Sequence, residues 1–194
     1  MAINYPLTLP TVTGVRSIEL QAANAVAISR SPFTFASQVH AYSGQMWSAS
    51  LTLPPMKLTE ARQWTAWLTS LRGQYGSFLL GDTSSSQISG TATSAAVTGV
   101  AGDNTVTVTS NGTILAGDMI QIGSASDATL HKVLADQSGN GSLEIWPALR
   151  KARTAAALTL TDARGAFRLA SNEVSWSVDE ASIYGISFSA VEKI

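Results

Sequence analysis

The chain has 194 residues, of which 45% are hydrophobic and none is cysteine. This length supports one sizeable core or two small ones, and the absence of cysteine excludes disulfide frameworks, thiolate catalysis and Cys-ligated zinc. The 12 Lys and Arg against 13 Asp and Glu leave a formal net charge of −1, which excludes the broad cationic surface used for duplex nucleic-acid binding. Because only 13% of the residues are charged, we expect other subunits to cover much of the surface.

The N-terminal residues 1–10 lack the basic start and the continuous apolar run of a signal peptide, and Pro6 and Pro10 interrupt them. No stretch approaches the roughly 20 apolar residues that cross a bilayer. We therefore expect a protein made in the cytoplasm, without an export signal of its own and without membrane insertion.

Apolar and polar residues alternate along most of the chain, a pattern that is typical of β-strands. It predicts a half-buried strand over residues 46–53, with residues 38–42 as its hairpin partner and a turn at 43–45. A second antiparallel pair is predicted between residues 173–178 and 184–190. The apolar side of the first strand consists of Trp47, Ala49, Leu51 and Leu53.

One segment, residues 59–72, follows the helical period instead. Its apolar residues are spaced three and four apart, Thr59 is placed to be the N-cap, and Gly73 follows its end. The stripe consists of Trp64, Trp67, Leu68 and Leu71. Such a stripe is typical of a lone helix packed on a sheet, and a ligand platform is the alternative interpretation.

Between residues 84 and 165 the composition shifts to Ser, Thr, Ala, Gly and Val, and the predicted strands become short. Turn residues separate them at the spacing of a small OB-like barrel. Five strands are predicted, at residues 104–109, 118–123, 130–134, 142–146 and 157–161.

Because β segments and a helix precede this region and more β segments follow it, we predict a mainly β protein with an inserted domain. Residues 1–83 plus 166–194 would form a β-sandwich host domain with one packed α-helix, and residues 84–165 would form the inserted β-barrel domain. The serine run at 83–86 and the turn at 162–165 would link them.

Metal-binding residues are few. The chain has two histidines, His40 and His131, about ninety residues apart, and each is predicted to be an ordinary strand residue with satisfied ring nitrogens. The aspartates near turns are predicted to cap backbone amides, because their spacing does not match a calcium loop; they are Asp103, Asp118, Asp127 and Asp136. No metal and no cofactor is therefore predicted.

Catalytic constellations are also lacking in the sequence. There is no Gly-x-Ser-x-Gly elbow, and Gly139–Gly141 falls in a predicted hairpin turn rather than between a strand and a helix. Asp118 and Glu144 are the best glycosidase pair, but both are predicted to face solvent on adjacent strands, with no apolar pocket to raise a pKa. We therefore predict no catalytic residues, and we assign no ligand-binding residues.

Two Asn-Gly-Thr/Ser sequences, at residues 111–113 and 140–142, match the glycosylation pattern. Without a signal peptide they are better explained as turns that need a positive φ. Gly117-Asp118 is expected to form a tight turn in which the aspartate caps amides. Pro147 is expected to end a strand and to leave Leu149 packed in the core and Arg150 exposed.

Several segments taken together resemble the distal tail proteins of long-tailed (siphovirus-type) bacteriophages and prophages. The resemblance covers nearly the whole chain, in the order of its segments. They are residues 31–34 leading to Gln38-Val39 and Trp47, residues 71–74 followed by 76–81, residues 117–123, residues 145–150, and residues 167–169 with the closing strand to Glu192.

The resemblance implies a structural virion component at the tail tip. Distal tail proteins have a β-sandwich host domain, assemble as a homo-hexameric ring between the tail tube protein and the tail hub protein or baseplate, and carry an outer domain that is often OB-like. Tail fibres or receptor-binding proteins are the partners expected at that outer domain. The family contributes no catalytic residues.

Two other functions compete with this interpretation. In the first, the inserted barrel is a carbohydrate-binding module whose Trp146 stacks on a sugar of the host surface. In the second, the chain is an envelope-degrading enzyme that uses Asp118 and Glu144.

Overall fold

A computed structural model describes residues 3–82 and 88–194. The described chain is mainly β, with one α-helix, and the predicted linker at residues 83–86 lies outside the described residues. The elements in chain order are β1 (Ser17–Arg30), β2 (Ser37–Thr52), α1 (Leu58–Ser70), β3 (Phe78–Leu80), β4 (Ala95–Gly99), β5 (Thr105–Ser110), β6 (Thr113–Ile114), β7 (Met119–Ile122), β8 (Thr129–Val133), β9 (Gln137–Ser138), β10 (Gly141–Trp146), β11 (Arg153–Thr159), β12 (Gly165–Leu169), β13 (Trp176–Val178) and β14 (Tyr184–Glu192).

The first sheet combines strands from both ends of the chain. Its order is β1-β2-β14-β12-β3, every neighbouring pair is antiparallel, and β13 also pairs with β14. In the β2–β14 register, Ala190 lies opposite Ala49 and Ser189 opposite Ser50. The predicted pairing of residues 173–178 with 184–190 is confirmed for residues 176–178 with 184–186. Residues 187–190 pair instead with β2, beside the predicted strand at 46–53.

The helix α1 packs on the inner face of this sheet. Trp64 is fully buried and Trp67 is 9% exposed, and their indole N–H groups donate to Thr13 Oγ1 (2.9 Å) and the Thr8 carbonyl (2.8 Å). The Trp67 ring lies 5.1 Å from that of Phe78. The tryptophan stripe is therefore core, as predicted, and not a ligand platform.

The predicted helix ends need correction. The helix begins at Leu58 after the N-cap Lys57, which makes no side-chain capping bond, so Thr59 is not the cap. The Lys57 carbonyl accepts the first helical hydrogen bonds instead. The helix ends at Ser70, and Arg72 takes a left-handed conformation (φ 53°) immediately before Gly73.

The predicted hairpin between residues 38–42 and 46–53 is wrong. Both segments belong to the single strand β2, whose partner is β1, a strand that we did not predict. Gly44 is not in a turn. It lies beside Ala25 at a shift in the strand register, where an added Cβ would stand 3.0 Å from the Ala25 Cβ. Gly44 therefore allows a close strand approach rather than a reversal.

Residues 95–159 contain a closed barrel of six strands in the order β10-β5-β4-β11-β7-β8. The five predicted strands correspond to β5, β7, β8, β10 and β11, and β4 was missed. That strand has one large apolar residue, Val97, so alternation hardly marks it. An OB-fold has five strands, and the OB-like character of this six-stranded barrel stays a prediction.

The barrel has its own apolar core, but it also contributes to the core beneath α1. Met119 of β7 and Leu130 of β8 belong to the cluster built on Trp47, Trp64 and Phe78. The Trp47 indole N–H donates to the Leu130 carbonyl across 2.9 Å. The sheet and the barrel are thus joined through buried side chains.

Within residues 3–82 and 88–194, no helix has the length and apolar character needed to cross a membrane.

We expect Trp67→Ala to lower the free energy of unfolding by about 3–5 kcal/mol, because it leaves a cavity under the sheet and removes the bond to the Thr8 carbonyl. Chemical denaturation followed by circular dichroism measures this change. A loss below about 0.5 kcal/mol would contradict the packing of α1 described here.

Candidate functional site

The outer half of the β1–β2 hairpin extends away from the sheet and forms the most distinctive surface of the molecule. We call residues 21–44 the arm. Every arm residue except Ser31 is exposed, on both faces of the ribbon. At about 3.3 Å per residue, the strand from Gln21 to Arg30 is roughly 30 Å long.

The tip of the arm is an ordered turn. The Ser31 amide donates to the Ala36 carbonyl (2.9 Å), and the Ser31 carbonyl accepts the Phe35 amide (3.0 Å). The Ser31 hydroxyl also accepts the amides of Phe33 and Thr34. Phe35 has a positive φ of 57° and lies under the Arg30 guanidinium. This geometry presents Phe33 to solvent with 92% of its surface exposed.

One face of the arm is apolar. Val26 pairs with Ala41, and Ile28 pairs with Val39, so these four side chains share a face. Ile28 is 70% exposed and Val39 is 59% exposed. A large exposed apolar patch on a soluble protein marks an interaction surface.

The arm also has little protection against strand pairing. β1 is at the end of the sheet order, and Arg30 is the only Lys, Arg, Asp or Glu in residues 21–44. Natural edge strands usually carry charges or prolines that prevent pairing with another chain, and an isolated two-stranded ribbon is at best marginally stable in water. Both considerations make the arm a candidate interaction surface.

The root of the arm contacts the barrel. The Trp146 indole N–H donates to Asn24 Oδ1 (2.7 Å), and the Ala148 amide donates to Gln45 Oε1 (2.6 Å). Trp146 is half-buried, and its ring meets that of Trp47 edge to face at 4.5 Å. Trp146, which the glycan-binding alternative expects to stack on a sugar, therefore already makes contacts within the chain.

Arg150, predicted to be exposed, is mostly buried. Its side chain is 15% exposed, and Nη2 lies 2.6 Å from Glu192 Oε2 and 2.7 Å from the Gln45 carbonyl. The prediction failed because the partner, Glu192, is 42 residues away in the sequence. As predicted, Pro147 follows the end of a strand and Leu149 is buried.

The two carboxylates of the glycosidase hypothesis have unrelated environments. Asp118 is buried, contrary to the prediction, and its carboxylate accepts the amides of Ser89 (2.7 Å) and Leu115 (2.8 Å). The predicted capping role is thus confirmed. Glu144 is exposed on β10, and β8 lies between β10 and β7, so the expected adjacency is also wrong.

The remaining turn aspartates divide into two kinds. Asp103 and Asp136 accept the amides of Val100 (2.9 Å) and Ala116 (2.8 Å), as predicted for caps. Asp127 instead forms ion pairs with Lys151 and Arg153, and hydrogen bonds from these two side chains lower the pKa of its carboxyl. In the described part of the chain, no three His, Asp or Glu residues are grouped to hold a metal ion.

The two histidines lie on β-strands, as predicted. His131 is fully buried, and its ring nitrogens contact the Pro147 carbonyl (2.8 Å) and Thr129 Oγ1 (2.9 Å). Burial lowers the pKa of His131 from 6.5 to about 4. His40 is exposed on the arm, where it packs against Tyr42.

The Asn-Gly sequences do not need a positive φ, contrary to the prediction. The Asn111 side chain accepts the amides of Thr93 and Ser94, which fixes that turn. Gly112 is needed for space, because an added Cβ would stand 2.7 Å from the Ala92 nitrogen. Asn140 caps the Ser110 amide in the same way.

Sequence reasoning predicted a strand at residues 38–42 but missed β1, and therefore missed the arm that the two strands form. A usable pattern was present, since Ile18, Leu20, Val26 and Ile28 occupy alternate positions of one strand. The interruption at Ala22 and Asn24 conceals this alternation, and the register shift falls there. Residues 31–34, which form the tip of the arm, were noted in the sequence only as part of the resemblance to distal tail proteins, and no structural role was predicted for them.

No protein-family model matches the chain, and no curated protein sequence matches it.

Acid should destabilise the protein through His131. Below pH 6.5 the unfolded chain protonates this histidine, whereas the folded chain resists protonation until about pH 4. Stability is therefore lost as the pH falls, by roughly 2–3 kcal/mol between pH 7 and pH 4.5. Urea unfolding at both pH values should show this loss, and the difference should be absent in His131→Gln. An identical pH slope in the variant would contradict the assignment.

Asp118 and Glu144 should respond differently to neutralisation. Asp118→Asn should lower the free energy of unfolding by about 1–3 kcal/mol, because an amide has one acceptor oxygen for two backbone amides. Glu144→Gln should change it by less than about 0.5 kcal/mol, since this side chain is exposed. Thermal denaturation of both variants measures the contrast. Equal effects would contradict the different environments.

Proposed function

We propose that this chain is a structural virion component, a distal tail ring that joins a bacteriophage tail tube to the tail-tip hub or baseplate. The observation that carries the proposal is the arm: a long, nearly uncharged ribbon with exposed apolar residues at its face and tip. An exposed apolar patch and an unprotected strand edge are both typical of surfaces that bind another chain.

The occupant that we propose for the arm is a second copy of this chain. The 24 residues of the arm match the 20–30 residues that each partner contributes to a standard protein interface. An arm that projects from one side and docks elsewhere on a neighbour makes a head-to-tail contact, and such contacts close into rings when the rotation fits. The hexameric number comes from the resemblance alone.

The other parts of the proposal follow the same resemblance. The sheet with α1 would be the β-sandwich host domain that forms the ring. The barrel would be the OB-like outer domain, where tail fibres or receptor-binding proteins would attach. The tail tube and hub proteins would contact the two faces of the ring. The particle would assemble in the bacterial cytoplasm and reside at the virion tail tip.

The competing functions have less support. Trp146 is the only aromatic residue in residues 84–165, and its contacts with Trp47 and Asn24 leave it poorly placed for stacking on a sugar. The carboxylates of Asp118 and Glu144 do not form a pair across a cleft, and Asp118 is committed to backbone amides. We therefore propose a structural protein rather than an enzyme or a glycan-binding module.

Ring assembly should depend on the apolar residues of the arm and not on salt. Mass photometry and negative-stain images should show a ring of several copies at 0.1 M and at 1 M NaCl, because screening over roughly 10 Å and 3 Å has little effect on uncharged contacts. Ile28→Ser combined with Phe33→Ser should yield monomers.

Tyr75→Ser is the matched control, since Tyr75 is 72% exposed but lies outside the arm. It should leave the ring intact. A monomeric parent protein, or rings in the double arm variant, would refute the proposal. Dissociation at 1 M NaCl would show that the few charges hold the ring together.

A further inference from the structure

The arm is held at its root by one loop of the barrel. Residues 146–150, which we call the root loop, connect the end of β10 toward β11. We call the facing pair Asn24 and Gln45, where the arm leaves the body, the arm root. Three hydrogen bonds run from the root loop to it: Trp146 Nε1 to Asn24 Oδ1, the Ala148 amide to Gln45 Oε1, and Arg150 Nη2 to the Gln45 carbonyl. The root loop therefore contacts both strands of the hairpin.

These contacts lie at the point along the hairpin where the strand register shifts. Asn24 and Gln45 face each other as the last regular pair before the register shift, and the next pair is Val26 with Ala41. A bulge bends a two-stranded ribbon and increases its twist. The root loop thus holds the hairpin immediately before the point where its direction changes.

The root loop is itself anchored by buried groups. Arg150 pairs with Glu192, whose side chain is 1% exposed and whose Oε2 also accepts the Trp47 amide (3.1 Å). The Pro147 carbonyl contacts the His131 ring, and Trp146 packs against Trp47. These contacts join the loop to both the sheet and the barrel core, so the loop is a rigid support.

We infer that the root loop fixes the direction in which the arm leaves the body, with Trp146, Asn24 and Gln45 as positioning residues. The inference rests on the proposed docking of the arm on a second copy. A head-to-tail ring closes only when each contact repeats the same rotation. Because the arm is roughly 30 Å long, a small change of angle at its root displaces its tip substantially. The barrel therefore acts in assembly as well as carrying an outer surface.

The direction of the arm can be measured without assembly, because the chain contains no cysteine. Ser29→Cys on the arm and Thr107→Cys on β5 are both exposed positions and provide a unique pair of spin-label sites. Pulsed electron paramagnetic resonance on the dilute full chain, which also carries Ile28→Ser and Phe33→Ser to keep it monomeric, gives the distance distribution between them.

The test compares two changes made from opposite sides of the contact. Asn24→Ala combined with Gln45→Ala removes the side-chain acceptors at the arm root, and Trp146→Phe removes one donor on the barrel. Both variants should broaden the distance distribution between the two spin labels. The double variant Asn24→Ala/Gln45→Ala should broaden it more than Trp146→Phe does. The control Gln21→Ala should keep the parental width, because this side chain bonds Glu19 and Ser48 but not the barrel. Thermal denaturation establishes that each variant is folded.

Distributions as narrow as the parent's in both root variants would overturn the inference. The same substitutions in the parent without labels should also reduce the yield of closed rings in negative stain. If the parent forms no rings but the root variants still broaden the distribution, the proposed function fails while the positioning role stands. If rings form and the distribution does not broaden, the positioning role fails alone.

Discussion

The structure depends on one buried carboxylate, that of Glu192. Its side chain is almost completely enclosed, and it accepts hydrogen bonds from Arg150 Nε and Nη2 and from the Trp47 amide. A buried charge without such partners would cost several kcal/mol, and removing one partner of a buried pair is strongly destabilising. The last strand β14, the root loop of the barrel and the strand β2 must therefore stay together for the chain to fold as it does.

This junction makes the sheet and the barrel mechanically dependent on each other. Met119 and Leu130 come from the barrel but pack in the core beneath α1, and the Trp47 indole bonds the Leu130 carbonyl. If the barrel were merely an insertion, its deletion would leave the apolar core between the sheet and α1 covered. Here its removal would expose apolar side chains and leave Glu192 without Arg150, so the barrel supports the sheet and the arm that grows from it.

Charge is distributed unevenly over the molecule. Arg150, Lys151 and Arg153 lie close together and are paired with Glu192 and Asp127 near the junction, whereas the arm has Arg30 as its only charged residue. Desolvating charges is costly, and interface centres are accordingly poor in charged residues. The low charge of the arm fits the proposed contacts between copies.

The sequence by itself determined the mainly β class, the single helix with its buried tryptophans, five of the six barrel strands and the capping role of Asp118, because alternation, helical spacing and turn chemistry are local patterns. The tertiary structure decided what depends on distant partners. Arg150 is mostly buried because Glu192 lies beside it. β2 is one long strand because β1 pairs along its length, and residues 21–44 form an exposed arm because the two strands continue past the part of β2 that pairs with β14. Local patterns do not contain these pairings, since each joins residues that only folding brings together.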